Sequence, residues 1–523
     1  MPHQLAIDFG TTNTVLARWN ADLNYAETVM LPGLSQPAES SQPALVPSLV
    51  YVDSEEVVVG HAVRQRGLDR QRTQRLFRNF KRGIVAPQPE SKRVIDGNRW
   101  TDWDAGRAFL SRVLGALPFP ISELETLVIA TPVVAFEQYI TWLDESVGNL
   151  SREQIRVIDE STAAALGYAV TEPGAMVLVV DFGGGTLDLS VVQLPESGSK
   201  VGGVLRTLLG LKGTSTCTAR VLAKSGQMLG GSDVDHWLAE EALRQIGINA
   251  DSLSDDETPL LTACEALKIQ LSSQERAELA FNIGERAHHL QFTRAELEDV
   301  LEAHGFYAAM RRVVEKTMYL ARQRGIYRED IRFVLMIGGT SLMPSVQQLM
   351  HRYFTEGIVR CDKPFTAVAE GALQLARGAS LEDYLTHSFG LRHLENGTPS
   401  FSEIIPMGTP CPTPKPFELT LCAAHPGQQE IEFVIGEIDS ETIEKVDVRY
   451  EGGVPVFVTG DDELAVQTLE GNVCVPLTPP GKPGEDRLKA SFSIEADGLL
   501  KLSVTDLQTG KMLLENHPLT RLR

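Results

Sequence analysis

Leu5-Ala-Ile-Asp-Phe-Gly-Thr-Thr-Asn-Thr-Val-Leu-Ala17 and Val179-Val-Asp-Phe-Gly-Gly-Gly-Thr-Leu-Asp-Leu-Ser-Val191 are the stretches on which the fold turns. Each reads as an apolar strand ending in Asp-Phe-Gly, a tight turn rich in Gly and Thr, and a second strand. One such match can be a plain β-turn whose Asp and Gly only satisfy turn geometry. Two copies in equivalent contexts imply two similar lobes, each presenting a hairpin turn to a shared cleft.

The surrounding sequence alternates strands and helices. Residues 126–130 (TLVIA) and 333–337 (FVLMI) are short apolar runs stopped by Pro132 and Gly338, as buried central strands are. In 259–273, Leu260, Cys264, Leu267 and Leu271 recur at helical spacing. This half is expected to be α/β. After about Ala379 the period changes to two. Leu488, Ala490, Phe492 and Ile494 face one way, and Lys489, Ser491, Ser493 and Glu495 the other. Asp497-Gly498 marks a hairpin, and prolines cluster at 406–416 and 476–483. A separate β-sandwich module is expected there.

Phosphates need backbone N–H groups that can be approached closely, which favours glycine turns at strand ends. Magnesium needs carboxylates and water. Gly10, Thr11, Thr12 and Asn13 form one candidate cradle, and Gly183, Gly184, Gly185 and Thr186 the other. Asp8 and Asp181, at the strand ends, are placed to hold the metal through its waters. In 334–341 a strand ends in Gly338-Gly339, against which a base and ribose can pack. The other reading of this segment is a helix-capping turn made by Thr340 or Ser341.

The chain has 523 residues, 43% hydrophobic and 22% charged, with net charge −21. That charge repels a phosphate backbone, so nucleic-acid binding is not expected. The basic run from Arg64 to Arg82, including Lys81, is read as a solvated helix face. Six scattered cysteines make no CxxC pair, and no apolar run reaches about 18 residues. A cytoplasmic protein without disulfides, metal cage or membrane span is expected.

Taken together, these residues resemble the 70-kilodalton heat-shock chaperone family (DnaK type) of the actin-like ATPase superfamily. Residues 158–167 (IDESTAAALG) are similar to that family's connecting motif, and the resemblance places Glu160 near the attacking water. Residues 229–235 (LGGSDVD) resemble its second-lobe glycine turn, with Gly230, Gly231 and Ser232. Residues 262–273 resemble its nucleoside-facing helix, where Glu265, Lys268 and Ser272 form one polar stripe. Thr340 and Ser341 follow its second glycine pair. The implied fold is an actin-like (ribonuclease-H-like) two-lobed ATPase domain over 1–379, a linker over 380–390 and a β-sandwich over 391–523. The implied function is ATP hydrolysis with Mg²⁺, binding of peptide or unfolded segments, and work with co-chaperones such as a J-domain protein and a nucleotide exchange factor.

Several positions depart from the family pattern. Arg64, after Gly60-His-Ala-Val, stands where the family's catalytic lysine is expected, so Arg64 is assigned with Thr186 to the γ-phosphate. Ile269 and Leu342 replace base-stacking arginines, and Ile140 replaces the arginine that reads the switch proline, Pro132. Glu382 and Asp383 interrupt the linker's apolar character, and a β module without the family's helical lid is expected. The segment 195–230 has no assigned counterpart. The alternatives are a nucleotide-regulated binding protein with little turnover, or a small-molecule kinase of the same superfamily.

Overall fold

The structure, a computed structural model, describes residues 3–20, 25–37, 43–71, 73–84, 93–131, 136–147, 150, 154–168, 172, 174–194, 218–248, 258–283, 286–376, 380–385, 387–395, 398–438, 446–451, 454–459, 466–469, 471–495 and 498–522. The expectations for Pro132, for the Ile140 side chain and for residues 195–217 lie outside them. The chain divides into two compact units, Met1–Leu381 and Glu382–Arg523.

The first unit contains the expected repeat. In one sheet His3–Phe9 runs antiparallel to Asn13–Asn20 and parallel to Leu124–Thr131, which in turn pairs with Ile155–Asp159. In the other, Met176–Phe182 runs antiparallel to Leu187–Gln193 and parallel to Ile331–Ile337. Asp8 lies beside Ala130 and Asp181 beside Ile337, the same register in each copy. These strands are buried on both faces, which is why they read as nearly continuous apolar runs.

Alternation along each strand divides its side chains between two cores. Leu5, Ile7 and Phe9 enter the core of the first half, and Leu178, Val180 and Phe182 that of the second. Both motif phenylalanines stack on a ring beneath their turn: Phe9 on Trp142 at 5.4 Å and Phe182 on Phe306 at 5.2 Å. Ala6, Val177 and Val179 point the opposite way, into a shared core with the helices Glu160–Tyr168 and Ala367–Ala376.

Those two helices cross with their backbones touching. A Cβ on Gly371 would lie 1.7 Å from the Ala163 carbonyl oxygen, and one on Gly167 would lie 2.5 Å from that of Ala367. The alanine-rich faces around them, Ala163–Ala165 and Ala372, keep the crossing close.

In the second unit, Ser388–Glu395 pairs with Thr398–Ile405 and Ile435–Ile438, while Asp486–Ile494 pairs with Phe417–Cys422 and Leu499–Asp506. Phe389, Leu391 and Ile435 share one core with Leu488, Phe492, Leu502 and Val504, so the two sheets form a sandwich. The alternation expected for 488–494 and 500–504 is the buried face of this core. Part of the segment expected as a linker is strand instead. Ser380–Tyr384 ends by pairing Asp383 with Cys411 and Tyr384 with Pro410, and the next residue, Leu385, is fully buried.

The helix crossing has a measurable consequence. Gly371→Ala forces a methyl group into backbone, and overpacking of this type costs about 1–3 kcal/mol or more. Urea unfolding of the first unit's transition should show that loss, with Gly115→Ala, a helical position whose Cβ meets nothing within 4 Å, as the control that is not destabilised.

Candidate functional site

The two strand ends carry their carboxylates to the same place. Asp8 follows Ala6, and Asp181 follows Val177 and Val179, on the faces that look toward the crossing helices. Antiparallel pairing adds Asp188 directly opposite Asp181, where the first hairpin has Val15 opposite Asp8. Glu160 begins the helix Glu160–Tyr168, immediately after the strand beside Asp8's own neighbour. Into this group comes Lys81, whose Nζ lies 2.5 Å from Glu160 Oε1, with the two side chains only 6% and 8% exposed. The lysine also sits over the rings of Phe9 and Tyr139.

Burial and mutual repulsion dominate the electrostatics. Burial, then the Glu160 charge, pushes the Asp8 carboxyl up to about 7, and Lys81 only partly offsets them. The same two causes push Asp188 up to about 8 against the hydroxyl of Thr186 and the charge of Lys81. Asp181 is raised well above the usual range by burial and by Glu160, Asp8 and Asp188. This is the chemistry of a site that lacks positive charge. Buried polar atoms without hydrogen-bond partners among the described residues include Asn13 Oδ1, Thr131 Oγ1 and the Tyr139 hydroxyl, on the strands Asn13–Asn20 and Leu124–Thr131 and the helix Phe136–Ser146.

The glycine segments are packed through their backbones. Ser48 braces the first turn by donating to the Gly10 carbonyl at 2.7 Å, while its N–H donates to Thr12. Thr11 and Thr12 face Gly185 and Gly184 of the second turn so closely that a Cβ there would lie 2.5 and 2.1 Å from their hydroxyls. The N–H groups of Gly231 and Ser232 donate to Gly183 and Gly184. Thr340 Oγ1 also donates to Gly183, at 2.7 Å. Gly338, at φ +79°, passes so near Phe182 that a Cβ would lie 2.4 Å from its carbonyl oxygen. Thr340 and Ser341 are therefore not helix caps; Ser341 bonds back to Gly338. The three segments 183–185, 230–232 and 338–341 form one backbone-lined floor.

Arg64 is not part of the carboxylate group. Its Nη2 lies 3.0 Å from Glu265 Oε1, and Arg78 holds the other oxygen at 2.9 Å. Burial pushes Glu265 up, but Arg78, Arg64 and Lys268 outweigh it and hold the carboxyl below the usual range. Lys268 reaches Asp235 at 2.7 Å and the Gly231 carbonyl at 2.8 Å, and Ser272 bonds to its own helix at Lys268. Glu265 and Lys268 thus belong to a network that joins their helix to the glycine floor and to residues 64–78. Ile269, beside them, is 59% exposed.

Two residues of the carboxylate group were not singled out in the sequence. Lys81 is buried rather than solvated, because Phe77, Phe80 and Ile84 around it enter the core of the first half. Asp188 lay inside the decisive stretch, and the antiparallel register of a tight turn was the signal for it. Among the described residues no three His, Cys, Asp or Glu side chains converge as direct metal ligands. A magnesium ion bridged by water to Asp8 and Asp181 fits the charge deficit and the donor set.

Duplicated sheets with glycine turns and paired strand-end aspartates, joined in one chain to a β-sandwich unit, define a two-lobed phosphate-binding protein of the actin-like class. A family model described as Hsp70 protein matches residues 151–437. The chain belongs to the Hsp70 family. It is 28% identical to "Chaperone protein DnaK" of Thermosipho africanus, over 97% of this chain and 78% of the relative. It is 26% identical to the protein of that name from Thermotoga petrophila, over 97% and 79%, and 27% identical to that of Thermus thermophilus, over 98% and 80%.

The raised carboxyls predict the pH dependence of stability. A carboxyl whose folded pKa lies above its unfolded value holds a proton in the native state that the unfolded chain has lost. Its contribution is present below about pH 4 and is lost as pH rises through the folded value, by at most about 1.4 kcal/mol per pH unit. Without nucleotide, the Tm of Asp188→Asn relative to wild type should therefore rise steadily between pH 5 and pH 8.5. Differential scanning calorimetry across that range checks the sign. A constant offset at both pH values would show that Asp188 does not titrate in this window.

Proposed function

We propose that this chain binds ATP with magnesium between the turns at 10–13 and 183–186 and hydrolyses it, and that its β unit binds extended peptide segments. The observation that carries the reading is the convergence of Asp8, Asp181, Asp188 and Glu160 on one buried lysine. Such a cluster is stabilised by a divalent cation and a bound phosphate chain, whose charges it complements.

Asp8 and Asp181, at equivalent strand ends, would hold a magnesium ion through its waters, with Asp188 on the second hairpin as a third acceptor. The metal supplies charge to the phosphate oxygens. Gly10–Asn13 and Gly183–Gly185 offer backbone N–H groups to the phosphates, and Thr186 adds a hydroxyl. Glu160 orients the attacking water and accepts hydrogen bonds from it. Lys81, held by Glu160, is the cation that meets charge developing on the transferred phosphoryl group. This role was expected of Arg64, whose guanidinium is instead committed to Glu265. The floor at 230–232 and 338–341, with Glu265, Lys268 and Ser272, receives the nucleoside. The printed name of the relatives, chaperone, supports the peptide part of this reading.

Single-turnover hydrolysis of MgATP distinguishes the two cations. Lys81→Ala and Asp181→Asn should each slow the chemical step by at least about tenfold, roughly 1.4 kcal/mol of barrier. Arg64→Ala should change nucleotide affinity more than the rate. If Lys81→Ala hydrolysed ATP at the wild-type rate, the assignment of the catalytic centre would fail.

A further inference from the structure

The short helix Phe80–Ile84 is gripped on both sides of Lys81 by the other half of the unit. Asn79, immediately before it, has φ +56°, a left-handed conformation that asparagine tolerates better than most side-chain-bearing residues. Its Oδ1 accepts from Ser232 Oγ at 2.9 Å. Arg82 Nη1 lies 2.9 Å from Asp233 Oδ1, while Asp233 Oδ2 accepts from the Gly230 N–H at 2.7 Å. Residues 79 and 82, at i and i+3, share one side of the turn, and Lys81 leaves it on another. Ser232 and Gly231 are themselves fastened to Gly184 and Gly183.

The lysine is thus carried by one half of the unit, while Asn79 and Arg82 on either side of it are bound to the 230–233 turn of the other. We infer that Asn79 and Arg82 are positioning residues: a two-point clasp that seats Lys81 on Glu160 only when the 230–233 turn is docked. This inference rests on the proposed role of Lys81 and adds that the lysine's place depends on closure of the two halves. If the clasp opens, the helix 80–84 loses its contacts to the second half. Lys81 then gains access to water and separates from Glu160.

The pair of substitutions separates backbone from side chain. Asn79→Gly keeps the left-handed turn without strain and removes the acceptor, whereas Asn79→Asp keeps both. Arg82→Gln removes the charge, and Arg82→Lys keeps it. The readout is acetylation of the full chain by an N-hydroxysuccinimide ester without nucleotide, followed by mass spectrometry at each lysine. Lys81 should be protected in wild type and labelled about fivefold faster or more in Asn79→Gly/Arg82→Gln, because local opening sets the rate. Lys224, which is buried elsewhere in the unit, should stay protected and so report an intact fold. Asn79→Asp/Arg82→Lys should restore protection of Lys81. Equal Lys81 labelling in wild type and the Gly/Gln variant would overturn the clasp.

A second measurement separates this inference from the reading beneath it. The Gly/Gln pair should slow single-turnover hydrolysis in wild type but add nothing in a Lys81→Ala background, because the clasp acts through the lysine. Additive losses would contradict the clasp. Indifference of hydrolysis to Lys81→Ala itself would instead refute the catalytic assignment, with the labelling result still deciding the clasp.

Discussion

The crossing of the helices Glu160–Tyr168 and Ala367–Ala376 at Gly167 and Gly371 is the constraint on which the first unit depends. Bare backbone against bare backbone lets two sheets share one thin core of alanine and valine. Because the strands alternate strictly, that shared core determines which side chains at the strand ends face the middle. Asp8 and Asp181 are two of them, and Glu160 arrives with the helix itself. A bulkier crossing would separate the sheets and the carboxylates together. Packing and chemistry therefore meet at two glycines outside the carboxylate cluster.

Bringing these acids together is unfavourable for the empty protein. Burial and mutual repulsion raise Asp8, Asp181 and Asp188, and one lysine offsets only part of it. Positive charge entering the cluster would relieve that repulsion. The network of Arg64, Arg78, Glu265, Lys268 and Asp235 is its charge-matched counterpart. There the charges are matched, so Glu265 stays ionised, and the network ties residues 64–78 to the helix Thr258–Ser273.

The repeat made much of this legible in advance. Asp8, Asp181 and the glycine turns follow from two similar stretches, and the β unit follows from the change of period after residue 379. Asp188 was hidden by the same comparison, because the first copy has Val15 at the equivalent register and the repeat draws attention only to what recurs. Lys81 was hidden by its arginine neighbours. A run of basic residues suggests a solvated face, yet Phe77, Phe80 and Ile84 bury this one, and its partner Glu160 is 79 positions away in sequence. Arg64 was misplaced because spacing from a glycine does not say which way a side chain turns. Its direction is set by Glu265, far along the chain.

The central claim is that the carboxylate cluster keeps protons until a metal-bound nucleotide replaces them. Isothermal titration calorimetry of magnesium nucleotide binding at pH 7.5, repeated in buffers of different ionisation enthalpy, counts the protons exchanged. The account predicts net release on binding, reduced in Asp188→Asn. Binding without proton release, unchanged in that variant, would contradict it.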